Sequence, residues 1–226
     1  MKRYTAIKKL IELLKDSDIL IFSGNELCKE AYEYDRPNNF YIQTPVVAAS
    51  FGLGIAMCNP KRVFVFMGEG ELLRDMGIIT QLGSSRCDNM FLVLLDNGCY
   101  QSAGQHPNIF ENILSLQGVV YNSGSQVSNF SKHFKLSKIK MLRQYFDRLA
   151  GPKVIFVEVD KGFKKDLPDV KLDLIEHRDR LTEMVRNTEL ESALFKPQPL
   201  GGQTIRSINI DELEDSGGID QWLSKT

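Results

Sequence analysis

The chain has 226 residues, and its 28 Lys and Arg residues against 29 Asp and Glu residues give a formal net charge of −1. With 42% apolar and 25% charged residues, the composition is that of a globular protein and excludes a mainly disordered chain. The balanced charge provides no general attraction to nucleic acid or to an anionic membrane, so neither is expected as a partner.

The amino-terminal segment is predicted to be an amphipathic helix and not a signal segment. Its apolar residues recur at helical spacing, at Ile7, Leu10, Ile11 and Leu14. Charged residues between them interrupt the continuous apolar stretch that a signal peptide needs. The longest apolar run, at 90–95, is far shorter than the ~20 residues that cross a bilayer. We therefore expect a cytoplasmic protein.

The cysteines also favour a reducing compartment. The four of them, Cys28, Cys58, Cys87 and Cys99, include no C-x-x-C pair. Such spacing is typical of reduced thiols, and a structural zinc site is not expected.

Apolar, β-branched runs alternate with segments of helical periodicity along most of the chain. The predicted strands are 18–22, 39–43, 62–67, 90–95 and 153–159. The predicted helical segments are 27–34, 45–58, 71–84 and one or two helices within 108–150. Because the strands are almost entirely apolar, they indicate a sheet that is covered on both faces. The sequence predicts an α/β fold with a doubly wound, mainly parallel sheet and helices on both faces.

The composition changes after residue 159. Residues 161–173 are rich in Lys, Asp and Pro, 172–185 show helical periodicity, and proline, glycine and acidic residues dominate beyond 187. A segment of this kind buries little apolar surface by itself. We therefore predict one domain at 1–165 and a helical or extended C-terminal appendage at 166–226.

Two polar clusters follow neighbouring predicted strands: Gly68-Glu69-Gly70-Glu71 and Asp96-Asn97-Gly98. In an open parallel sheet, ligands bind outside the carboxyl ends of the strands, so the clusters are expected to lie side by side at a ligand site. The glycines permit close approach of the backbone, and a helix that begins near Glu71 directs unpaired N–H groups to the same place, which favours a phosphate. Oxygen atoms of Glu69 and Asn97 are suitable ligands for a divalent cation.

Spacing alone leaves a purely structural interpretation open. Two glycines in a strand-to-helix turn are common in doubly wound sheets, with or without a ligand. The sequence contains no G-x-x-x-x-G-K-[ST] motif, which excludes a P-loop, and Gly68 and Gly70 lack the third glycine of a dinucleotide fingerprint.

Together the two clusters resemble the thiamine diphosphate (ThDP) motif, in which a GDG sequence is followed by an asparagine-containing turn. Three longer segments, 36–41, 48–56 and 94–105, look like the diphosphate-binding half of sulfopyruvate and phosphonopyruvate decarboxylases. The similarity covers roughly residues 15–160. The resemblance implies the ThDP-binding fold and a subunit of a ThDP-dependent 2-oxoacid decarboxylase, a carbon–carbon lyase.

The resemblance also implies a set of site residues. Glu69 and Asn97 would hold Mg²⁺ or Ca²⁺ together with the backbone carbonyl of Cys99. The segment 43–47 would approach the aminopyrimidine ring of the cofactor. The positions implied for cofactor contact are Ser23, Gly24, Asn25, Gln43, Thr44, Pro45, Gly68, Gly70, Glu71, Leu72, Asn97 and Tyr100.

Two residues depart from the family pattern. Glu69 stands where the family has Asp. Its longer side chain moves the carboxylate, which is unfavourable for Mg²⁺ because this ion tolerates little deviation from an octahedron with bonds of about 2.0 to 2.1 Å. Glu71 stands where Ser or Ala is usual, and it adds a second carboxylate beside the expected diphosphate. That arrangement is unfavourable unless the Glu71 side chain turns away.

The chain has room for only one of the two domains that bind ThDP in this family. The other supplies the Glu that activates the cofactor, so the resemblance implies a separate pyrimidine-binding subunit in a hetero-oligomer of two chains of each kind. The chain alone is expected to be inactive. A second surface is also favoured by apolar residues without an obvious place on the predicted layers, at Leu172, Leu174, Ile175, Leu181 and Met184.

Two other functions remain open from the sequence. A carboligase subunit would use the same scaffold, because capture of the decarboxylated intermediate by a second carbonyl replaces its protonation. A degenerate, non-catalytic binding or assembly protein would explain Glu69 as a sign of lost metal affinity.

The remaining candidates are histidines, a thiol and a basic stretch. His106 is the candidate for substrate contact or proton transfer, with a surface-turn histidine as the alternative. His133 and His177 are predicted to be solvated, and the Cys99 thiol is predicted to be inert. The basic residues within 132–143 are predicted to form a solvated helix face and not a nucleic-acid site.

Overall fold

The computed structural model describes residues 1–85, 87–108, 116–123, 126–130, 152–186 and 207–209. The predicted His133 and the basic residues of 132–143 lie outside these ranges, as does most of 108–150. Across the described residues, every helix is too short or too polar to span a lipid bilayer.

A parallel sheet forms the centre of the molecule. Within the described residues it has seven strands in the order β2-β1-β3-β4-β8-β7-β9, and each neighbouring pair is parallel. A short antiparallel hairpin, β5 with β6, stands apart from it. The strands are β1 (Ile19–Ser23), β2 (Asn39–Ile42), β3 (Val63–Gly68), β4 (Met90–Asp96), β5 (Cys99–Tyr100), β6 (His106–Pro107), β7 (Gln126–Phe130), β8 (Lys153–Glu158) and β9 (Ser207–Asn209).

All five predicted strands are confirmed, with bounds that differ by at most one residue from the observed ones. The helices are α1 (Arg3–Leu13), α2 (Asn25–Tyr32), α3 (Val47–Cys58), α4 (Glu69–Leu72), α5 (Gly77–Ser85), α6 (Leu116–Asn122) and α7 (Leu174–Arg186). The single helix predicted for 71–84 is wrong: α4 is one turn long, a 3-10 turn at Leu73–Asp75 follows it, and α5 begins only at Gly77.

Apolar side chains are buried on both faces of the sheet, which explains the continuous apolar strands. On one face, strand residues such as Phe22, Phe64 and Phe66 pack with α1 and α2. On the other face, residues such as Ile21 and Val65 pack with α3, α5 and α6. The alternation follows from the period of two along a strand, and the predicted doubly wound α/β fold is confirmed.

Helix α7 covers the outer edge of β2. His177 accepts a hydrogen bond at Nε2 from the backbone N–H of Tyr41 at 3.0 Å, and its Nδ1 lies 2.8 Å from the carbonyl oxygen of Asp173. Arg180 donates to both carboxylate oxygens of Asp35 at 2.8 and 2.7 Å. The prediction of a solvated His177 is therefore wrong, because the imidazole satisfies a backbone donor that an edge strand leaves unpaired.

Three of the five apolar residues for which the sequence suggested no place on the domain do pack against its core. Leu181 and the buried Met184 pack against the core cluster on the α3 face, and Leu172 packs against the cluster on the α1 face. Leu174 and Ile175 are 88% and 59% exposed. Residues beyond the boundary predicted near 165 thus contribute a helix at one edge of the sheet and β9 at the other.

Polar groups at the amino ends of the strands are closely paired. Arg62 donates to both carboxylate oxygens of the buried Asp18, at 2.9 and 2.6 Å. The side-chain amide of Asn89 donates to three backbone carbonyl oxygens at 2.6 to 3.1 Å, one in the last turn of α3 and two in the turn between α3 and β3. These contacts fix the loops that enter β1, β3 and β4.

Candidate functional site

The strand order creates a crevice at the carboxyl ends of β1 and β3. From these two neighbouring strands the chain continues to opposite sides, to β2 and to β4. In open α/β sheets this switch point is where ligands bind. Ser23 and Gly24 end β1, and Gly68 with α4 follows β3, so the structure brings together two of the segments that the sequence predicted for one site.

Two of the predicted metal ligands converge on one backbone nitrogen. Oε1 of Glu69 accepts hydrogen bonds from the N–H of Cys99 at 3.1 Å and from the side-chain amide of Asn108 at 3.0 Å. Oδ1 of Asn97 accepts from the same Cys99 N–H, also at 3.1 Å. Because each oxygen lies 3.1 Å from that nitrogen, the two oxygens are no more than about 6 Å apart.

Glu69 is a buried carboxylate, only 2% exposed. Its pKa rises to about 7, first because burial penalises the charged form and second because the charge of Asp96 lies near, while backbone N–H groups oppose the rise. Among the described residues no ion pair includes Glu69. A bound cation would favour its charged form, so the electrostatics of this position suit a metal.

The donor set is one that a hard cation prefers. The described residues contain no cluster of three or more His, Cys, Asp or Glu side chains, so a cation here would rely on one carboxylate, one amide oxygen and backbone carbonyls. Mg²⁺ and Ca²⁺ both take oxygen ligands of these kinds. The residues present therefore fit a divalent cation at Glu69 and Asn97.

The crevice itself holds the side chain of Glu71. Oε2 of Glu71 accepts a hydrogen bond from the hydroxyl of Ser23. Gly24 has a φ of +85°, and a Cβ at Gly24 would collide with Oε1 of Glu71. Burial raises the pKa of Glu71, whereas the Ser23 hydrogen bond and the charges of Arg74 and Arg3 lower it. The Glu71 carboxylate therefore points towards Ser23 and Gly24, two positions that the resemblance implies for cofactor contact, and it fills the space beside them.

The glycines of the motif have different surroundings. A Cβ at Gly68 would meet nothing within 4 Å. A Cβ at Gly70 would lie 2.9 Å from the ring of Tyr100, so this glycine lets the ring pack against α4. Leu72 is fully buried in the core, which leaves only its backbone to meet a ligand.

The hairpin after β4 carries the other candidates. His106 is exposed on β6 opposite Tyr100, and Cys99 is buried with its thiol 3.4 Å from Oδ1 of Asn97. Gln101 accepts hydrogen bonds from the side-chain amide of Asn97 at 3.2 Å and from the N–H of Gly162 at 2.8 Å. The hairpin therefore contacts both the predicted metal ligand Asn97 and the loop after β8.

The segment predicted to approach the aminopyrimidine follows β2, so it also lies at the carboxyl ends of the strands. Gln43 and Thr44 are exposed, and Pro45 is half-buried. Val46 precedes α3 with a φ of +89°, a conformation that is strained for a β-branched residue. Asn25 is exposed at the start of α2, and its amide donates to Glu26 at 3.3 Å. Their contacts with a cofactor stay predictions.

Sequence reasoning missed two polar residues that position the predicted ligands, Asn108 and Gln101. Asn108 lies 39 residues from Glu69, to which it donates, and Gln101 lies four residues from Asn97. Local spacing contains no signal for the first contact. The contact between Gln101 and Asn97 depends on the geometry of the turn between them, which the sequence pattern did not predict.

No protein-family model matches the chain, but curated proteins do. It is 28% identical to the sulfopyruvate decarboxylase subunit beta of Methanothermobacter thermautotrophicus, over 82% of this chain and 96% of that subunit. It is 30% identical to the subunit beta of Methanocaldococcus jannaschii, over 59% of this chain and 76% of that subunit. The phosphonopyruvate decarboxylase of Streptomyces viridochromogenes is 32% identical over 45% of this chain and 26% of its own length.

Solved structures share the fold. A putative thiamin diphosphate-dependent enzyme from Mycobacterium smegmatis matches 72% of this chain with a TM-score of 0.59 and 14% identity. Benzoylformate decarboxylase from Polynucleobacter necessarius matches 73% of it with a TM-score of 0.58 and 16% identity. The chain spans 32% and 34% of these two proteins. The resemblance stated from the sequence is confirmed, and with 30% identity along 76% of a curated subunit the chain belongs to the family of sulfopyruvate decarboxylase beta subunits.

Proposed function

We propose that the chain is the diphosphate-binding subunit of a split ThDP-dependent 2-oxoacid decarboxylase, with sulfopyruvate- or phosphonopyruvate-like substrates. The observation that carries this proposal is the convergence of the Glu69 and Asn97 oxygens on the Cys99 N–H. It supports a cation site at the carboxyl ends of β3 and β4, beside the switch-point crevice. The cation would be Mg²⁺ or Ca²⁺.

A two-chain enzyme is supported by how the relatives align. The chain matches 96% of a protein named as a beta subunit, and only 34% of the sulfopyruvate decarboxylase of Methanosarcina acetivorans. This difference supports the proposal that the rest of the longer protein corresponds to a separate subunit here. We propose that this partner binds the pyrimidine of ThDP, supplies the activating Glu, and assembles with the present chain as two copies of each.

In this proposal the chain's own residues hold the cation and keep its ligands in place. The N–H of Cys99 and the amide of Asn108 fix the Glu69 carboxylate. Gln101 accepts from the amide nitrogen of Asn97, and the amide oxygen accepts from the Cys99 N–H, so the orientation of the amide is fixed and a second lone pair of that oxygen would serve the cation. When bound, ThDP would supply the electron sink that lets CO₂ leave a 2-oxoacid. The exposed His106 on the hairpin is then available to the substrate or to the partner surface.

Calorimetry on the chain mixed with a pyrimidine-domain subunit from the same source tests the proposal. ThDP should bind in a Mg²⁺- or Ca²⁺-dependent manner, and the mixture should release CO₂ from sulfopyruvate or phosphonopyruvate. Asn97→Ala should abolish the metal dependence, because it removes one of two side-chain ligands. Asn38→Ala is a matched control, since the side-chain amide of this half-buried residue donates to the backbone carbonyl of Asp16 near the amino ends of the strands.

Metal-dependent binding that survives in Asn97→Ala would contradict the metal assignment. A mixture that binds no ThDP at all would contradict the proposed function.

A further inference from the structure

The switch-point crevice is bridged by a single side chain. Glu71, on α4 after β3, reaches the end of β1, where its carboxylate accepts from the Ser23 hydroxyl and fills the space beside Gly24. Ser23 is fully buried, whereas Glu71 is only half-buried. A ligand in the crevice can therefore reach the Ser23 hydroxyl only after the carboxylate has moved.

A carboxylate and a diphosphate would form the same kind of interaction at the end of β1. Both are anions that accept hydrogen bonds, and both would use the hydroxyl of Ser23. They exclude each other, because two anions in contact repel and because no room is left between Glu71 and Gly24 for even a methyl group. Arg74 and Arg3 are the cations whose charges act on the Glu71 carboxylate, and they would equally favour a phosphate in its place.

We propose that Glu71 sets the affinity of the crevice for a diphosphate by occupying the diphosphate subsite with its own carboxylate. Binding is then a substitution: the diphosphate takes the Ser23 hydroxyl, and Glu71 leaves it. The inference rests on the proposed function, since that function makes a diphosphate the ligand of the crevice. Glu71 becomes an affinity-determining residue of the binding site, and not a bystander on α4.

The test uses inorganic pyrophosphate with Mg²⁺ as the probe, titrated into the purified full chain. Glu71→Ala should raise the affinity by about tenfold or more, since it removes both the charge and the group that fills the subsite. Glu71→Gln, which keeps the size and loses the charge, should raise it by less. The matched control is Glu26→Ala, because Glu26 is a carboxylate at the same edge of the sheet that contacts Asn25 and not Ser23 or Gly24.

Each outcome decides the matter. The proposal is supported if Glu71→Ala raises the pyrophosphate affinity while Glu26→Ala stays within twofold of the unmodified chain. If Glu71→Gln raises the affinity as much as Glu71→Ala does, the proposal is also supported, and the negative charge of Glu71 is then the cause. No rise in Glu71→Ala, including no binding by either protein, overturns it, as does an equal rise in Glu26→Ala. If Glu71→Ala does not fold, Glu71→Gln decides by the same criterion, with thermal unfolding as the check on folding.

Failure of this inference differs from failure of the proposed function. If the complete two-subunit protein binds ThDP with Mg²⁺ and Glu71→Ala changes neither pyrophosphate nor ThDP affinity, only the inference is wrong. If the complete protein binds no ThDP while Glu71→Ala gains pyrophosphate affinity, the crevice takes a different diphosphate, and the proposed function is wrong.

Discussion

The amino and carboxyl ends of the parallel strands bury polar groups in different ways. At the amino ends, Asp18 and Arg62 form an ion pair with two hydrogen bonds, and the Asn89 amide lies against three carbonyl oxygens. At the carboxyl ends, the carboxylates of Glu69 and Glu71 have no ion pair among the described residues, and burial raises the pKa of both. Ion-paired groups stabilise the loops at one end, whereas buried carboxylates at the other end, which have hydrogen bonds and no ion pair among the described residues, reduce stability.

This difference predicts where a substitution damages folding and where it damages binding. Substitutions that break the paired groups at the amino ends, such as Arg62 and Asn89, should lower the free energy of unfolding and leave ligand affinity unchanged. Substitutions of Glu69 or Glu71 should change affinity while the fold is kept. Functional sites commonly reduce stability in this way.

The largest effect is expected for Arg62→Met, which leaves the buried Asp18 carboxylate without its cation. We expect a loss of about 3 kcal/mol in the free energy of unfolding, since breaking a buried pair strands an uncompensated charge. Urea denaturation measures it. The control is Arg178→Met, which removes a similar cation from the exposed Asp179 and should cause no measurable change. Equal effects in the two variants would contradict the comparison of the two ends.

The next effect concerns Lys153, a buried cation at the amino end of β8 whose ammonium lies 5.8 Å from the centre of the Phe91 ring. Burial lowers its pKa to about 7, although the charge of Asp88 opposes the shift. Its unfolded pKa is near 10.5, so between these values the unfolded chain binds more protons and stability rises with pH. Lys153→Met should therefore be more stable by about 2 kcal/mol at pH 6, with an advantage that disappears by about pH 10.5.

Urea denaturation of Lys153→Met and of the unmodified chain at pH 6, 8 and 10 measures the difference in their free energies of unfolding. Other buried groups that titrate in the alkaline range, such as Cys28 and Tyr41, are present in both proteins and cancel. An advantage for Lys153→Met that grows with pH would reverse the sign and refute the prediction.

The smallest effect is expected at the carboxyl ends. Glu69→Asp should move the metal preference towards Mg²⁺ by about threefold to tenfold relative to Ca²⁺, because Ca²⁺ tolerates longer bonds and looser geometry than Mg²⁺ does. Titration of both ions in the presence of ThDP and the partner subunit measures the ratio, and Glu26→Asp is the control. An unchanged ratio would mean that Glu69 does not ligate the cation.

The sheet and its order of elements could be predicted because their signals are local. Continuous apolar strands such as 62–67 and 90–95 require cover on both faces, and helical segments between them require parallel crossovers. The break after Leu72 was missed because Leu72, Leu73 and Arg74 contain no residue that ends a helix. Spacing showed an apolar period without showing that the backbone tightens into a 3-10 turn.

The long-range contacts of the side chains could not be predicted from local sequence patterns. Glu71 meets Ser23 across 48 residues, and Tyr41 meets His177 across 136. Such contacts depend on which strands become neighbours and on the rotamers that packing allows, and neither is encoded in a short window. The sequence therefore predicted that Glu71 was unusual, while the direction of its carboxylate needed the three-dimensional arrangement.

The position of α7 on the edge of β2 has a consequence for the solubility of shortened chains. An uncovered edge strand offers its N–H and C=O groups to any extended segment nearby, which leads to strand addition between molecules and to aggregation. His177 occupies the N–H of Tyr41 and Arg180 donates to the carbonyl oxygen of Asn39 at 3.2 Å, so α7 removes both kinds of template group from β2. A chain that ended before Leu174 would expose them, and its self-association would begin at this edge.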